Sequence, residues 1–129
     1  MYSANRGLIS GSTDTWEGFK EEREEIFSFF EKNKIEGIFL VSADRHRSDA
    51  WKIERQNGYT LYEAMSSHIT KSSTHPHMPQ AIFSITGKPA FGLLKFDFSK
   101  QDPEIIYQVI KLDNSVAAEL ITKYSQLTY

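Results

Sequence analysis

The strongest constraint on this chain is an abrupt change of period. Over residues 15–33 apolar side chains recur at helical spacing. At about 100 degrees per residue, Phe19, Ile26 and Phe30 share a narrow sector with Phe27 at its edge, while Lys20, Glu21, Glu24, Glu25, Glu31 and Lys32 spread elsewhere. Asp14 and Glu17 fit the capping pattern in which the first carboxylate accepts helix amides and the second reaches back, so the spacing predicts a helix over 15–33. Residues 37–42 (GIFLVS) are then apolar at consecutive positions, which predicts a central strand covered on both faces. A helix passing directly into such a strand is an α/β signature.

The second half reads differently. WKIER and YTLYEAM flank the turn QNG, residues 81–85 precede the turn TGKP, and Leu94, Phe96 and Phe98 alternate with Lys95 and Asp97. Residues 104–112 are strand-like, and Asp113-Asn114 suits a hairpin turn. The last segment, SVAAELITKYSQL, fits either a helical face or an alternating strand, and the hairpin context favours the strand. Residues 68–79 (HITKSSTHPHMP), with two prolines and few apolar side chains, form a loop longer than most connections in compact domains. The expected class is therefore α/β to α+β: an extended lead-in over 1–13, a helix and strand unit over 14–50, and mostly antiparallel strands over 51–129, within one domain.

Composition removes several function classes. At 129 residues and 40% hydrophobic content the chain is long enough for one real core. A net charge of -2 supplies no overall basic field for nucleic acid or anionic membrane. Arg45, Arg47, Lys52 and Arg55 cluster, but no aromatic platform or groove helix accompanies them. No apolar run approaches the roughly 18 to 20 residues of a membrane span, and the N-terminus lacks the pattern of a cleaved leader. Without cysteine, His and carboxylate are the strong metal ligands left.

The chemistry concentrates where the apolar strand ends, in Asp44-Arg45-His46-Arg47. Ligands of open α/β sheets collect beyond the carboxyl ends of strands. An Asp and a His two residues apart there suit a mixed oxygen and nitrogen metal site. Two ligands do not complete a site, and the other candidates are Asp14, Asp49, His68, His75 and His77. The spacing is equally compatible with a solvated turn carrying a surface His. His75-Pro76-His77 reads as an exposed loop, since no carboxylate accompanies it. Trp16 either packs on the sheet or stacks over a ligand. Arg23, four residues after Phe19 and three before Ile26, either snorkels to water or is committed to a buried carboxylate or phosphate.

Taken together, Asp14-Thr15-Trp16-Glu17-Gly18-Phe19, Glu22-Arg23, the strand IFLVSADRH and the segment YTLYEAMSS resemble the C-terminal part of the alkaline phosphatase D (PhoD-like) metallophosphoesterases. The resemblance runs over residues 8–127 and includes the closing hairpin. It implies the C-terminal portion of a calcineurin-like sandwich of two sheets flanked by helices, hydrolysing phosphate mono- or diesters at a metal centre. It further implies Asp44 and His46 as metal ligands, His46 and Arg23 in contact with the chemistry or its supporting network, and Asp14 and Trp16 as supporting residues. The metal ions would be calcium, iron, manganese or zinc, weakly held by this chain alone, and the setting periplasmic or secreted. Ala43 stands where the family pattern has Gly, a position that would be strained if it required positive φ. The family's earlier ligand motifs have no counterpart in these residues. The chain is therefore expected to be incomplete as a catalyst and to need the other half of the sandwich or a second copy. The alternative is a non-catalytic structural or oligomerising domain.

Overall fold

The computed structural model describes residues 15, 16, 18–70 and 75–129. Helix α1 (Lys20–Lys32) precedes strands β1 (Phe39–Ser42), β2 (Ser48–Ile53), β3 (Leu61–Ser66), β4 (Phe83–Ile85), β5 (Ala90–Asp97), β6 (Glu104–Lys111) and β7 (Val116–Lys123), and a 3₁₀ turn (Tyr124–Leu127) closes the chain. The class is α+β, with one mixed and one antiparallel sheet. No helix among the described residues is long and apolar enough to cross a membrane.

The helix starts at Lys20, five residues later than its periodicity predicts. The Gly18 N–H donates to Thr15 C=O at 2.8 Å and the Phe19 N–H to Trp16 C=O at 3.2 Å, so this segment is a turn. Gly18 is a poor helix former, costing roughly 1 kcal/mol against Ala in a helix interior. Phe19 occupies the N-cap without a side-chain cap bond, and Glu21 and Glu22 complement the first-turn dipole. Asp14 and Glu17 of the anticipated capping pair lie outside the described residues.

The buried face of α1 is also rotated by one position. Phe27, placed by periodicity at the edge of the stripe, is 1% exposed, whereas Ile26 is 39% and Phe19 53% exposed. Phe27 meets Trp16 edge to face at 5.6 Å and packs with Ile53 and Leu61 against half-buried Phe30, Ile38, Leu40 and Tyr59. The sheet partners decide which sector is buried. Ile53 and Leu61 are directly opposed across β2 and β3, and Phe27 is the aromatic that sits over them.

The first sheet has the order β1-β3-β2-β4, with β1 parallel to β3 and the other pairs antiparallel. This corrects the expectation for 37–42. The segment is a strand from Phe39, but it lies at the edge of its sheet among the described residues, and Val41 is 66% exposed. Apolar residues on both faces identify a strand meant for double cover; they do not say which neighbour supplies the second hydrogen-bonded edge. The QNG turn is a hairpin as anticipated, although β2 begins at Ser48 and so draws Ser48, Asp49 and Ala50 out of the charged run into the ladder.

Period-2 alternation on β2 and β3 separates two layers. Ala50 and Ala64, cross-strand partners, face a second core with Ala90, Tyr107 and Val109. Ile53 and Leu61 face α1 on the opposite side. The second core lies against the meander β5-β6-β7, whose closing strand β7 settles the ambiguous C-terminal segment as a strand. A register shift at Val109/Ile110 is accommodated by a bulge opposite them in β7. The sheets approach closely at Gly92: a Cβ there would meet Ser66 Cβ at 2.7 Å and Tyr107 Cε2 at 2.8 Å. The Tyr107 hydroxyl donates to Met65 C=O at 2.6 Å, and burial pushes its phenol well above the ordinary tyrosine range.

Candidate functional site at the end of the parallel strand

Strand β1 ends at Ser42, and a five-residue turn delivers the chain to β2. Asp44 (φ 81°) and His46 (φ 45°) both adopt the left-handed region. For L-residues this costs roughly 1–2 kcal/mol each, least for residue types such as Asp and His that tolerate it. Such conformations persist where the surrounding structure holds them, and they concentrate at functional turns. Ala43 is not among the positive-φ residues, so the missing family glycine imposes no backbone strain at that position.

The charged run splits into an outer and an inner part. Asp44 is exposed and Arg45 and His46 are half-buried, whereas Arg47, Ser48 and Asp49 are buried. Arg47 Nε donates to Asp49 Oδ2 at 2.6 Å, with the two side chains 2% and 0% exposed, and Trp51 Nε1 approaches the same oxygen at 3.3 Å. The fork is one-armed: Arg47 Nη2 and Asp49 Oδ1 are buried without a partner, as is Arg45 Nε. A buried polar atom left unmatched costs roughly 1–3 kcal/mol. Just beneath the turn, Glu63 is 1% exposed, bonds Ser42 Oγ through Oε1 at 2.5 Å, and leaves Oε2 unmatched.

His75 enters from the long loop and meets His46, ring centroids 5.7 Å apart at an interplanar angle of 66°. The loop histidine expected to be simply exposed is thus half-buried against the strand-end turn, while His77 stays exposed. Burial lowers the His75 proton affinity, and the charges of Arg45, Arg47 and His46 lower it further against the opposing pull of Asp44. The turn and the loop therefore bring His75, His46 and the charges of Asp44, Arg45 and Arg47 close together.

Of the other anticipated residues, Trp16 and Arg23 lie with α1 rather than at this turn. Trp16 packs on Phe27, and Arg23 is nearly buried on α1 with its Nε on Glu24 Oε1 at 3.0 Å. Glu24 also accepts Arg55 Nη1 at 2.6 Å, and Arg55 Nε reaches Glu31 at 2.6 Å, which clasps the helix to the end of β2. Asp14 lies outside the described residues. Among the remaining ligand candidates, Asp49 is committed to Arg47, and His68 holds Lys88 C=O through Nε2 at 2.7 Å and also contacts Ser67 C=O.

Sequence reasoning missed Glu63 and the contact made by His75. The first carried a legible signal: Glu63 alternates with Leu61 and Met65 and so belongs to a buried face. The second carried none, because a loop folding back over a turn leaves no periodic mark.

The chain is thus an α+β protein whose parallel strand ends in an Asp-Arg-His turn with two left-handed residues. Compared with family models, residues 2–99 match the PhoD-like phosphatases, and the chain belongs to that family. Its function is accordingly of the phosphatase type, in a family that generally uses metal ions. The match ends just after β5, so the closing hairpin lies beyond it, unlike the wider span of the sequence resemblance. No curated protein and no solved structure matches the chain. Asp44 and His46 have the donor chemistry for two positions of a metal centre, but no group of three or more acidic or histidine side chains among the described residues could hold an ion. These residues alone do not make a complete metal site.

Proposed function

We propose that the chain forms the closing part of a metal-dependent phosphomonoesterase or phosphodiesterase. In this reading Asp44 and His46 supply two ligands, and the remaining ligands come from outside the described residues. The observation that carries it is the paired left-handed conformation of Asp44 and His46 at the end of a parallel strand whose other edge is unpaired among the described residues. A strand with apolar side chains on both faces, an exposed Val41 and an incomplete ligand set at its carboxyl end fits a sheet continued by further strands. The two sheets would then belong to a calcineurin-like sandwich. Arg23 would support the site from α1 by orienting carboxylates, with Trp16 packing beneath.

Metal retention tests the assignment. After dialysis against calcium, manganese, zinc or ferric salts, elemental analysis should find weak retention that Asp44→Asn and His46→Asn both abolish. The chain alone should hydrolyse p-nitrophenyl phosphate and bis-p-nitrophenyl phosphate poorly. Retention indifferent to both variants would overturn the ligand assignment, and robust turnover would overturn incompleteness. Exposed Val41, Phe91, Leu93 and Ile121 favour one competing reading, a structural domain that oligomerises through apolar strand surfaces. A metal-free oligomer, independent of dilution in size-exclusion measurements and indifferent to both variants, would establish that reading instead.

A further inference from the structure

We infer that Asn57, in the loop joining β2 to β3, is a site of self-modification. It closes to a succinimide with Gly58 and reopens as aspartate and isoaspartate, and the product loosens the clasp between α1 and β2. The reactants are the chain itself and water. The inference is independent of the phosphatase reading, because this loop lies at the opposite end of β2 from the Asp44–His46 turn.

The step balances without an oxidant or a cofactor. The Gly58 backbone nitrogen attacks Asn57 Cγ, a C–N bond forms, and the side-chain amide leaves as ammonia with the proton lost from that nitrogen. A glycine nitrogen is the least hindered one for this closure, since no Cβ shields it. Water then adds to either carbonyl of the ring. Opening one C–N bond gives aspartate; opening the other gives isoaspartate, whose main chain runs through the former side chain and gains a methylene.

The structure leaves this pair free to react. Asn57 is exposed, and residues 54–60 lie beyond the ladder, whose last pair is Ile53 with Leu61. Neither Asn57 nor Gly58 has positive φ, so the pair is not held in the type I′ turn of a tight hairpin. Among the described residues no hydrogen bond engages the Asn57 amide or the Gly58 N–H. The other described asparagines are restrained. Asn33 Nδ2 donates to Phe29 C=O at 2.8 Å, and its neighbour is the bulkier Lys34. The Ser115 N–H that would have to attack Asn114 donates instead to Asp113 Oδ1 at 3.0 Å.

The same loop bears on α1. A Cβ added at Gly58 would meet Glu31 Cγ at 3.1 Å and Tyr129 Oη at 3.5 Å, so this backbone lies against the side chain that accepts Arg55 Nε at 2.6 Å. The following residue is pinned. Tyr59 Oη donates to Ile35 C=O at 2.9 Å and accepts the Ile38 N–H at 3.2 Å. A methylene inserted between Asn57 and Gly58 therefore lengthens the main chain where there is little room for it. The new carboxylate also stands close in sequence to Arg55, where it competes with Glu24 and Glu31 for the guanidinium.

The experiment ages the full chain in mildly alkaline buffer, folded and, in parallel, in urea. Peptide mapping with electron-transfer fragmentation then reads aspartate and isoaspartate at each asparagine. Conversion at Asn57 in the folded chain should run severalfold faster than at Asn33 or Asn114, with isoaspartate as the main product. The aged chain should melt at a lower temperature, in proportion to conversion at Asn57. Asn57→Gln, whose longer side chain closes far more slowly, should keep its fresh melting temperature through the same incubation. Fresh and aged wild-type chains separated by ion exchange carry the test if that variant does not fold. An Asn57 that stays intact in the folded chain, or converts no faster than Asn33 and Asn114, overturns the site. Conversion without a fall in melting temperature, or an equal fall in aged Asn57→Gln, overturns its link to the clasp.

Discussion

The two faces of β2 solve the same burial problem by opposite means. Ala50 faces the inter-sheet core with Ala64, Tyr107 and Val109, where contact is decided by side-chain volume. Asp49 and Trp51 face the other way with Arg47 and Glu63, where four buried groups must be matched by charge and hydrogen bonds, and several atoms are not. The same face continues through Ile53 and Leu61 into the core under α1, so its polarity is confined to the start of β2. This polar stretch follows the Asp44–His46 turn along the chain and carries unmatched donors and acceptors.

The largest test of this contrast is Asp49→Ala, which strands a buried Arg47. Breaking such a pair from one side should cost about 3–5 kcal/mol in urea denaturation. Replacing both members, Arg47→Met with Asp49→Leu, should recover most of that loss, since the cost lies in the orphaned charge rather than in the missing pair. A double variant as unstable as the single one would show that the pair itself, rather than matched burial, supports this face.

On the hydrocarbon face the matching test is volumetric. Gly92→Ala drives a methyl group into Ser66 and Tyr107, and overpacking of this kind should cost about 1–3 kcal/mol. A neutral result would mean that the sheets separate more readily than their contact at Gly92 implies. Tyr107→Phe keeps the volume and removes the buried hydroxyl that bonds Met65 C=O and the Ser66 and Ser48 side chains, so about 1–2 kcal/mol should be lost. A loss as large as that of Asp49→Ala would make this core as polar in character as its counterpart.

The smallest effect belongs to the clasp between α1 and β2. Burial alone would raise the Glu24 carboxyl, but Arg55 and Arg23 donate to it and hold it below its ordinary value of 4.5. The unfolded chain then binds more protons in this range, so the clasp stabilises the fold above pH 4.5 and is lost as pH falls further. Because Glu24 is partly solvent-screened, Glu24→Gln should cost no more than about 1 kcal/mol at neutral pH. The variant should also flatten the acid limb of a circular dichroism titration, and an unaltered limb would remove Glu24 from the acid response.

Much of this arrangement is legible in the sequence. The change of period located α1 and β1, the QNG and Asp113-Asn114 turns located two hairpins, and the Asp-Arg-His run located the candidate site. The errors have specific causes. The helix start moved because local turn bonds around Gly18 compete with helical ones, and its buried sector moved because Ile53 and Leu61 select Phe27. Strand β1 was placed centrally because apolar residues on both faces report cover by layers, which is a different quantity from pairing along an edge.

The sequence by itself determined the period of each element, the turn chemistry that joins them and the family to which the chain belongs. These are local matters, set by backbone preference and by which residues neighbour one another along the chain. Only the tertiary structure decided that Arg47 and Asp49 pair in the interior, that Glu63 supports Ser42 and that His75 folds onto His46. Those contacts depend on strand register and loop path, which bring together groups that no periodicity connects. The charges that follow β1 therefore divide between a turn and the protein's interior. Their outer half is exposed or half-buried, and their inner half is built into the protein.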